Sequence, residues 1–193
     1  MSSTVLYMSM SLDGFVAGPN ETPENGLGDG GERLHEWLGD LDALDRLVGA
    51  DREVVDDMFA TGAVLAGRGT FEPAGGWGGD HHGGVPIFIL SRHRPAPRYA
   101  QWPAVTYLSD IEDAVRRAKE AAGEKNVMVH GVGTAQRCLK AGLLDEIQIH
   151  LVPVLLGEGR RLFEHLGADH IELETLRVMT GGEATHLRYR VRR

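Results

Sequence analysis

Two short stretches of this sequence carry residue types at a spacing suited to holding a phosphate. Ala66-Gly67-Arg68-Gly69-Thr70 and His130-Gly131-Val132-Gly133-Thr134 each follow a short apolar run and open a segment with helical character. A helix that begins this way presents unpaired N–H groups and the positive end of its dipole, and glycine lets the backbone come close to a ligand. Arg68 adds a charge and Thr70 a hydroxyl to the first turn. Ser91-Arg92, just past the apolar run Val85 to Leu90, supply a third polar group after a strand-like segment. One glycine turn alone is ordinary strand-ending chemistry. Two of them with Ser91-Arg92 point to a dinucleotide. The second turn departs from G-x-G-x-x-G, because its sixth position is Gln136 and no acid follows at the expected distance. A standard Rossmann dehydrogenase is therefore disfavoured.

Other reactive side chains weigh less. Asp13-Gly14 ends the first strand-like run, where Asp is either plain turn chemistry or a carboxylate placed for a substrate. His81-His82 invites a metal, but no third ligand stands at a diagnostic spacing, and no metal is expected. Asp145-Glu146 resembles a carboxylate pair, yet neighbours on a strand point to opposite faces, so a structural role is expected for at least one. Cys138 lies on an apolar helical face with Ala135 and Leu139 and reads as a buried thiol. There is no G-x-S-x-G elbow and no P-loop lysine motif.

The elements that must position these residues alternate between strand and helix. Strands are predicted over Thr4 to Leu12, Ala63 to Ala66, Val85 to Leu90, Val105 to Leu108, Asn126 to Val129 and from Ile147 on to Leu156. Two more, near 170–180 and 184–192, flank Gly181-Gly182 and read as an antiparallel hairpin. Helices are predicted over Glu32 to Leu38 and about Ala50 to Thr61, the latter with Val54, Val55, Met58 and Phe59 on one face. A third is N-capped by Ser109 and stopped by Gly123, and a fourth carries Ala135, Cys138 and Leu139. Residues 18–31 are loop chemistry long enough to be functional, and Gly75 to Gly84 is a glycine-rich loop. The pattern is one α/β domain over 1–193 with a mostly parallel central sheet.

At 193 residues, 42% hydrophobic and 25% charged, the chain is ordinary globular material. A net charge of −8 gives no support for a nucleic-acid partner. A single cysteine rules out an intrachain disulfide and suits a reducing compartment. With no signal-like start and no apolar run of membrane-spanning length, the expected location is cytoplasmic, with no membrane partner.

Three motifs resemble a known family. Met10-Ser11-Leu12-Asp13-Gly14 resembles the opening motif of the dihydrofolate-reductase-like reductases of the riboflavin-biosynthesis type. Gly67-Arg68-Gly69-Thr70-Phe71 resembles their G-R-x-T-[FY] turn. Ala141-Gly142-Leu143-Leu144-Asp145-Glu146, running through Pro153-Val154-Leu155-Leu156-Gly157 to Leu162-Phe163, resembles their A-G-L-[VL]-D-E … P-V-L-L-G-x-G-x-x-L-F signature. The resemblance implies a three-layer dihydrofolate-reductase-like fold with about eight strands, NADPH as cofactor, a small-molecule substrate and a homodimer. It implies that Gly67, Arg68 and Thr70 meet the cofactor's phosphates, that Ser91 and Arg92 lie near the adenosine 2′-phosphate, and that Gly131, Gly133, Thr134 and Ala135 line the pyrophosphate. Ser9 and Asp13 would face the nicotinamide and the substrate, with Asp13 the catalytic carboxylate. Where many members carry Gly-Gly before the second turn, this chain has His130-Gly131. The zinc deaminase often fused to such reductases needs H-x-E and P-C-x-x-C, which one cysteine cannot supply.

The implied activity is reduction of a small heterocycle, similar to 5-amino-6-(5-phosphoribosylamino)uracil reductase or dihydrofolate reductase. The alternative is a dinucleotide-binding module without turnover, a sensor or a structural dimer, in which Asp13 would be dispensable.

Overall fold

A computed structural model describes residues 2–22, 24–167 and 169–192. Its centre is an eight-stranded sheet in the order β5-β4-β3-β6-β1-β7-β10-β9. The strands are β1 (Thr4–Ser11), β3 (Ala63–Gly67), β4 (Ile87–Leu90), β5 (Val105–Leu108), β6 (Val127–His130), β7 (Glu146–Val152), β9 (Leu173–Thr180) and β10 (Thr185–Val191). The pairings from β5 through β7 are all parallel, while β10 pairs antiparallel with β7 and β9. This is the mostly parallel sheet with a C-terminal hairpin that the sequence predicts. The run Ile87-Phe88-Ile89-Leu90 is buried throughout, as a strand covered on both faces requires.

The helices are α1 (Gly49–Phe59), α2 (Arg68–Phe71), α3 (Ile111–Ala122) and α4 (Val132–Lys140). Alternation along the strands divides the core. Leu6, Leu65, Val127 and Val129 pack with Ala114, Ala118, Ala135 and Leu139 of α3 and α4. Val5, Tyr7, Val64, Ala66 and Met128 face the other way, onto Phe71, Tyr99 and the partly buried Met58 of α1. Helices therefore cover both faces of the sheet.

Several boundaries differ from the sequence expectation. The cap of α3 is Asp110, not Ser109: its Oδ1 accepts the N–H of Asp113 at 2.8 Å, and the stop at Gly123 holds with φ 62°. Gly31–Leu38 winds as a 3-10 segment instead of an α-helix. Phe59 does not share the buried face of Val54 and Val55; it is 37% exposed and lies against His82, with ring centroids 5.4 Å apart. β7 ends at Val152, short of Leu156, where Pro153 cannot extend the ladder. A second, two-stranded sheet pairs β2 (Phe15–Ala17) with β8 (Arg160–Arg161), pieces too short to show a period.

Candidate functional site

The two glycine turns meet at the carboxyl ends of two central strands. β3 and β6 are parallel neighbours, with Ala66 opposite His130. Past β3 the chain turns to the face that buries Phe71; past β6 it turns to the opposite face, which buries Ala135 and Leu139. Adjacent parallel strands whose chains leave to opposite faces open a crevice at their carboxyl ends, where open α/β sheets bind ligands.

The turns interlock across this crevice. Gly131 has φ 90°, and a Cβ there would overlap Thr70 Oγ1. A Cβ at Gly67 would stand 3.1 Å from Thr134 Oγ1. Each turn's threonine thus packs onto the other turn's glycine. The nine-residue α4 has no side-chain cap at Gly131, which leaves the N–H groups of its first turn for a ligand. Thr134 Oγ1 is buried without a hydrogen-bond partner among the described residues, an acceptor or donor held in reserve. A backbone cradle, free amides and a spare hydroxyl together fit a pyrophosphate.

A cavity of about 440 Å³ opens from the crevice. Thr70, Gly131 and Val132 form one end, Met8 and Val16 an apolar floor, and Pro73, Ala74 and Trp77 a wall. Glu21, Glu24 and Glu32 add three carboxylates to the lining, the first two from the segment before the 3-10 turn and the third from that turn itself. Arg160 also lines it, but its Nε lies 2.7 Å from Glu21 Oε2, so this guanidinium already holds a carboxylate. His130 borders the cavity, with Nδ1 2.9 Å from the Tyr7 carbonyl oxygen, and burial pushes its pKa down to about 4. Its neighbour His81, ring centroids 6.2 Å away, is pushed down to about 3, chiefly by burial. Both rings are neutral near pH 7, so this wall adds no positive charge.

The structure separates the expected site residues. Gly67, Thr70, Gly131, Gly133 and Thr134 come together at the crevice, with Gly133 exposed. Arg68 sits on the same turn, but its Nε and Nη2 bond the two oxygens of Glu72 at 2.7 and 3.0 Å. Its helix α2 is a single turn of four residues, too short for a useful dipole. Ala135 is fully buried in the core, and its N–H is spent on the Gly131 carbonyl at 3.0 Å.

Ser91 and Arg92 follow β4, the next strand beyond β3. The Ser91 hydroxyl closes a local turn with His93, and Arg92 is exposed. Ser9 is buried and accepts a hydrogen bond from Trp37 Nε1 at 3.0 Å. Asp13 lies outside the cavity lining, and its oxygens accept bonds from Ser11 Oγ at 2.6 Å and from the N–H groups of Leu156 at 3.2 Å and Gly157 at 2.8 Å. These bonds, Ser11 first, hold its carboxyl below the usual range. The turn role is the one this geometry displays.

Asp145 and Glu146 are structural partners as well. Asp145 accepts from the Thr4 N–H and from Lys119 Nζ, and Glu146 from Arg188 Nε at 2.7 Å. Cys138 is fully buried and its thiol is pushed up to about 12 by burial. Among the described residues no cluster of three or more His, Cys, Asp or Glu is placed to hold a metal, and no helix is long and apolar enough to cross a membrane.

Sequence reasoning missed Trp77, His130 as a wall, and Arg160. An aromatic set between Gly75-Gly76 and Gly78-Gly79 is a readable signal, since a tryptophan in such a run must be packed somewhere. Arg160 belongs to a two-residue strand and gives none.

Known proteins match this chain along its length. The uncharacterized protein YwjB of Bacillus subtilis (strain 168) is 26% identical over 195 residues, covering 96% of each chain. A structure from Shewanella sp. PV-4, of a protein provisionally ascribed to riboflavin biosynthesis, aligns with TM-score 0.70 and 23% identity over 99% of both chains. Dihydrofolate reductase from Enterococcus faecalis, solved with NADP(H), aligns with TM-score 0.61 and 12% identity over 98% of this chain and 96% of that one. These likenesses establish the dihydrofolate-reductase-like fold. Residues 3–187 match the RibD C-terminal domain, and the chain belongs to that family.

Proposed function

We propose that this chain is an NADPH-dependent reductase of a small planar heterocycle, of the kind found in riboflavin synthesis or folate reduction. The observation that carries the reading is the interlock of Gly67 with Thr134 and of Thr70 with Gly131 at the mouth of a cavity of about 440 Å³. That volume lies in the usual range for a small-molecule site. Gly131, Val132, Gly133 and Thr134 would hold the pyrophosphate, with Gly67 and Thr70 packed behind it. Ser91 and Arg92, one strand further out, would meet the adenosine 2′-phosphate.

The cofactor supplies the hydride; the protein's part is to bind, orient and keep out water. Met8 and Val16 give the reacting ring an apolar floor. Glu21, Glu24 and Glu32 outnumber Arg160 on the walls, so we infer a substrate with hydrogen-bond donors and no phosphate of its own. A phosphate would meet like charge there, and like-charge contacts cost several kcal/mol.

The first test is a fluorescence titration of the protein with NADPH and, separately, NADH. Micromolar binding of NADPH with at least a roughly tenfold preference over NADH is expected, since one lost charge-assisted contact is worth about that much. Binding of neither nucleotide would leave only a shared fold. A panel of aminopyrimidines and pterins, each with and without a phosphate, then reads turnover. No oxidation of NADPH by any of them would favour a binding module without chemistry.

A further inference from the structure

The glycine-rich segment after α2 holds one tryptophan in a conformation that side chains rarely adopt. Trp77 has φ 50° and ψ 28°, in the left-handed region, and Gly76 and Gly78 beside it are left-handed too. Side chains avoid this region because Cβ crowds the following carbonyl oxygen. The loop cannot relax easily. A Cβ at Gly76 would overlap the Trp102 ring, and one at Gly79 would stand 2.5 Å from Trp102 Cγ, so the backbone is wound directly onto that indole.

The Trp77 indole is then fixed by its neighbours. It meets Phe71 at 5.3 Å and 76° and His81 at 4.7 Å and 79°, both edge-to-face, and stays half-buried while lining the cavity. Strain held in place by surrounding structure is a mark of functional positions. Close-packed glycines thus hold one uncharged aromatic ring in the cavity lining.

Position decides what the ring meets. Trp77 and Phe71 belong to the layer on one face of the sheet, whereas α4, with its free amides, starts the layer on the other. A nucleotide whose pyrophosphate sits at Gly131 and Val132 enters from the α4 side. Gly26 packs on Pro73 on the Trp77 side, where a Cβ at Gly26 would stand 3.1 Å from Pro73 Cβ. We propose that Trp77 is the specificity-determining residue of this site, stacking on the planar ring of the substrate and not on the nicotinamide. This rests on the reductase reading above.

The test uses protein saturated with NADP+, with 5-aminouracil as planar probe and 5,6-dihydrouracil as puckered control, followed by calorimetry. Replacing a stacked aromatic costs roughly tenfold in affinity for a ring. Trp77→Leu, which keeps apolar bulk without the plane, is therefore expected to weaken 5-aminouracil about that much. Trp77→Phe is expected to stay within about threefold, because it keeps a stacking face. Dihydrouracil and NADP+ itself should bind all three proteins alike. Equal losses for both uracils, a weakened NADP+, or no binding of 5-aminouracil to the unaltered protein at millimolar concentration overturns the assignment. Failure of NADP+ to bind the unaltered protein is a separate result, and it removes the reductase reading beneath.

Discussion

The turns after β3 and β6 and the turn after β1 lie at the carboxyl ends of three neighbouring parallel strands, and each couples a glycine with a polar side chain. Their hydrogen-bonding capacity is spent differently. At the β1 turn the Asp13 carboxylate takes Ser11 and two backbone N–H groups, and Arg161 Nη1 donates to the Asp13 carbonyl at 2.9 Å. At the paired turns, Thr134 Oγ1 has no hydrogen-bond partner among the described residues and α4 has no side-chain cap. Saturated polar groups hold a fold, and unsaturated ones at a crevice wait for a ligand. The difference is visible only once the chain is folded, because Asp13-Gly14 and Gly131-Val132 look equally turn-like in one dimension.

Breaking the interlock should have the largest effect. Gly131→Ala forces a Cβ into Thr70 Oγ1 at a residue with φ 90°. A side chain in such a region costs about 1–3 kcal/mol before any clash is counted. The expected result is a Tm lower by several degrees and NADPH affinity reduced more than tenfold, read by thermal denaturation and nucleotide titration. Unchanged affinity would show that the pyrophosphate does not sit there. Gly133→Ala is the matched control, since a Cβ there meets nothing within 4 Å, and its stability should hold.

The histidines beside the crevice sharpen the comparison through pH. Burial pushes His130 to about 4 and His81 to about 3. Folding thus favours the neutral rings. As pH falls below the ordinary histidine value, the unfolded chain takes up protons that the folded chain refuses. Stability is then lost progressively from about pH 6.5 towards 4, by up to about 3 kcal/mol for His130. Denaturant midpoints across that window should fall for the unaltered protein and fall less for His130→Phe. Parallel curves for the two would show that His130 is not the titrating group.

Much of this architecture is written in local patterns. The apolar runs at Ile87 to Leu90 and Val127 to Val129 state strands buried on both faces, and Gly181-Gly182 states a hairpin. The glycine turns are legible for the same reason, because close backbone approach needs glycine. What the sequence hides is pairing over distance. Asp13 meets Leu156 and Gly157, and Arg160 meets Glu21, each more than a hundred positions away. No periodicity encodes such partners. Arg68 is a case between the two: Glu72 stands at i+4, a spacing that favours an ion pair on a helix, and the pair forms even on a single turn.

The smallest expected effect is the most informative about Asp13. Its carboxyl is held below the ordinary value by Ser11 and the loop amides, so it contributes stability above about pH 4 and loses that contribution as pH falls through the lowered value. This window begins about where that of His130 ends and overlaps only the tail of that of His81, so the contrast between His130→Phe and Asp13→Asn separates the two regions in one pH series. Asp13→Asn keeps the shape but removes the charge that the N–H groups of Leu156 and Gly157 face. A modest fall in Tm at pH 7 is expected, shrinking as the pH is lowered. NADPH affinity should stay within about twofold, because no cofactor contact is removed. A Tm that does not move, with turnover of a heterocycle abolished, would place Asp13 at the reacting atoms after all and make the loop bonds a feature of the ligand-free state.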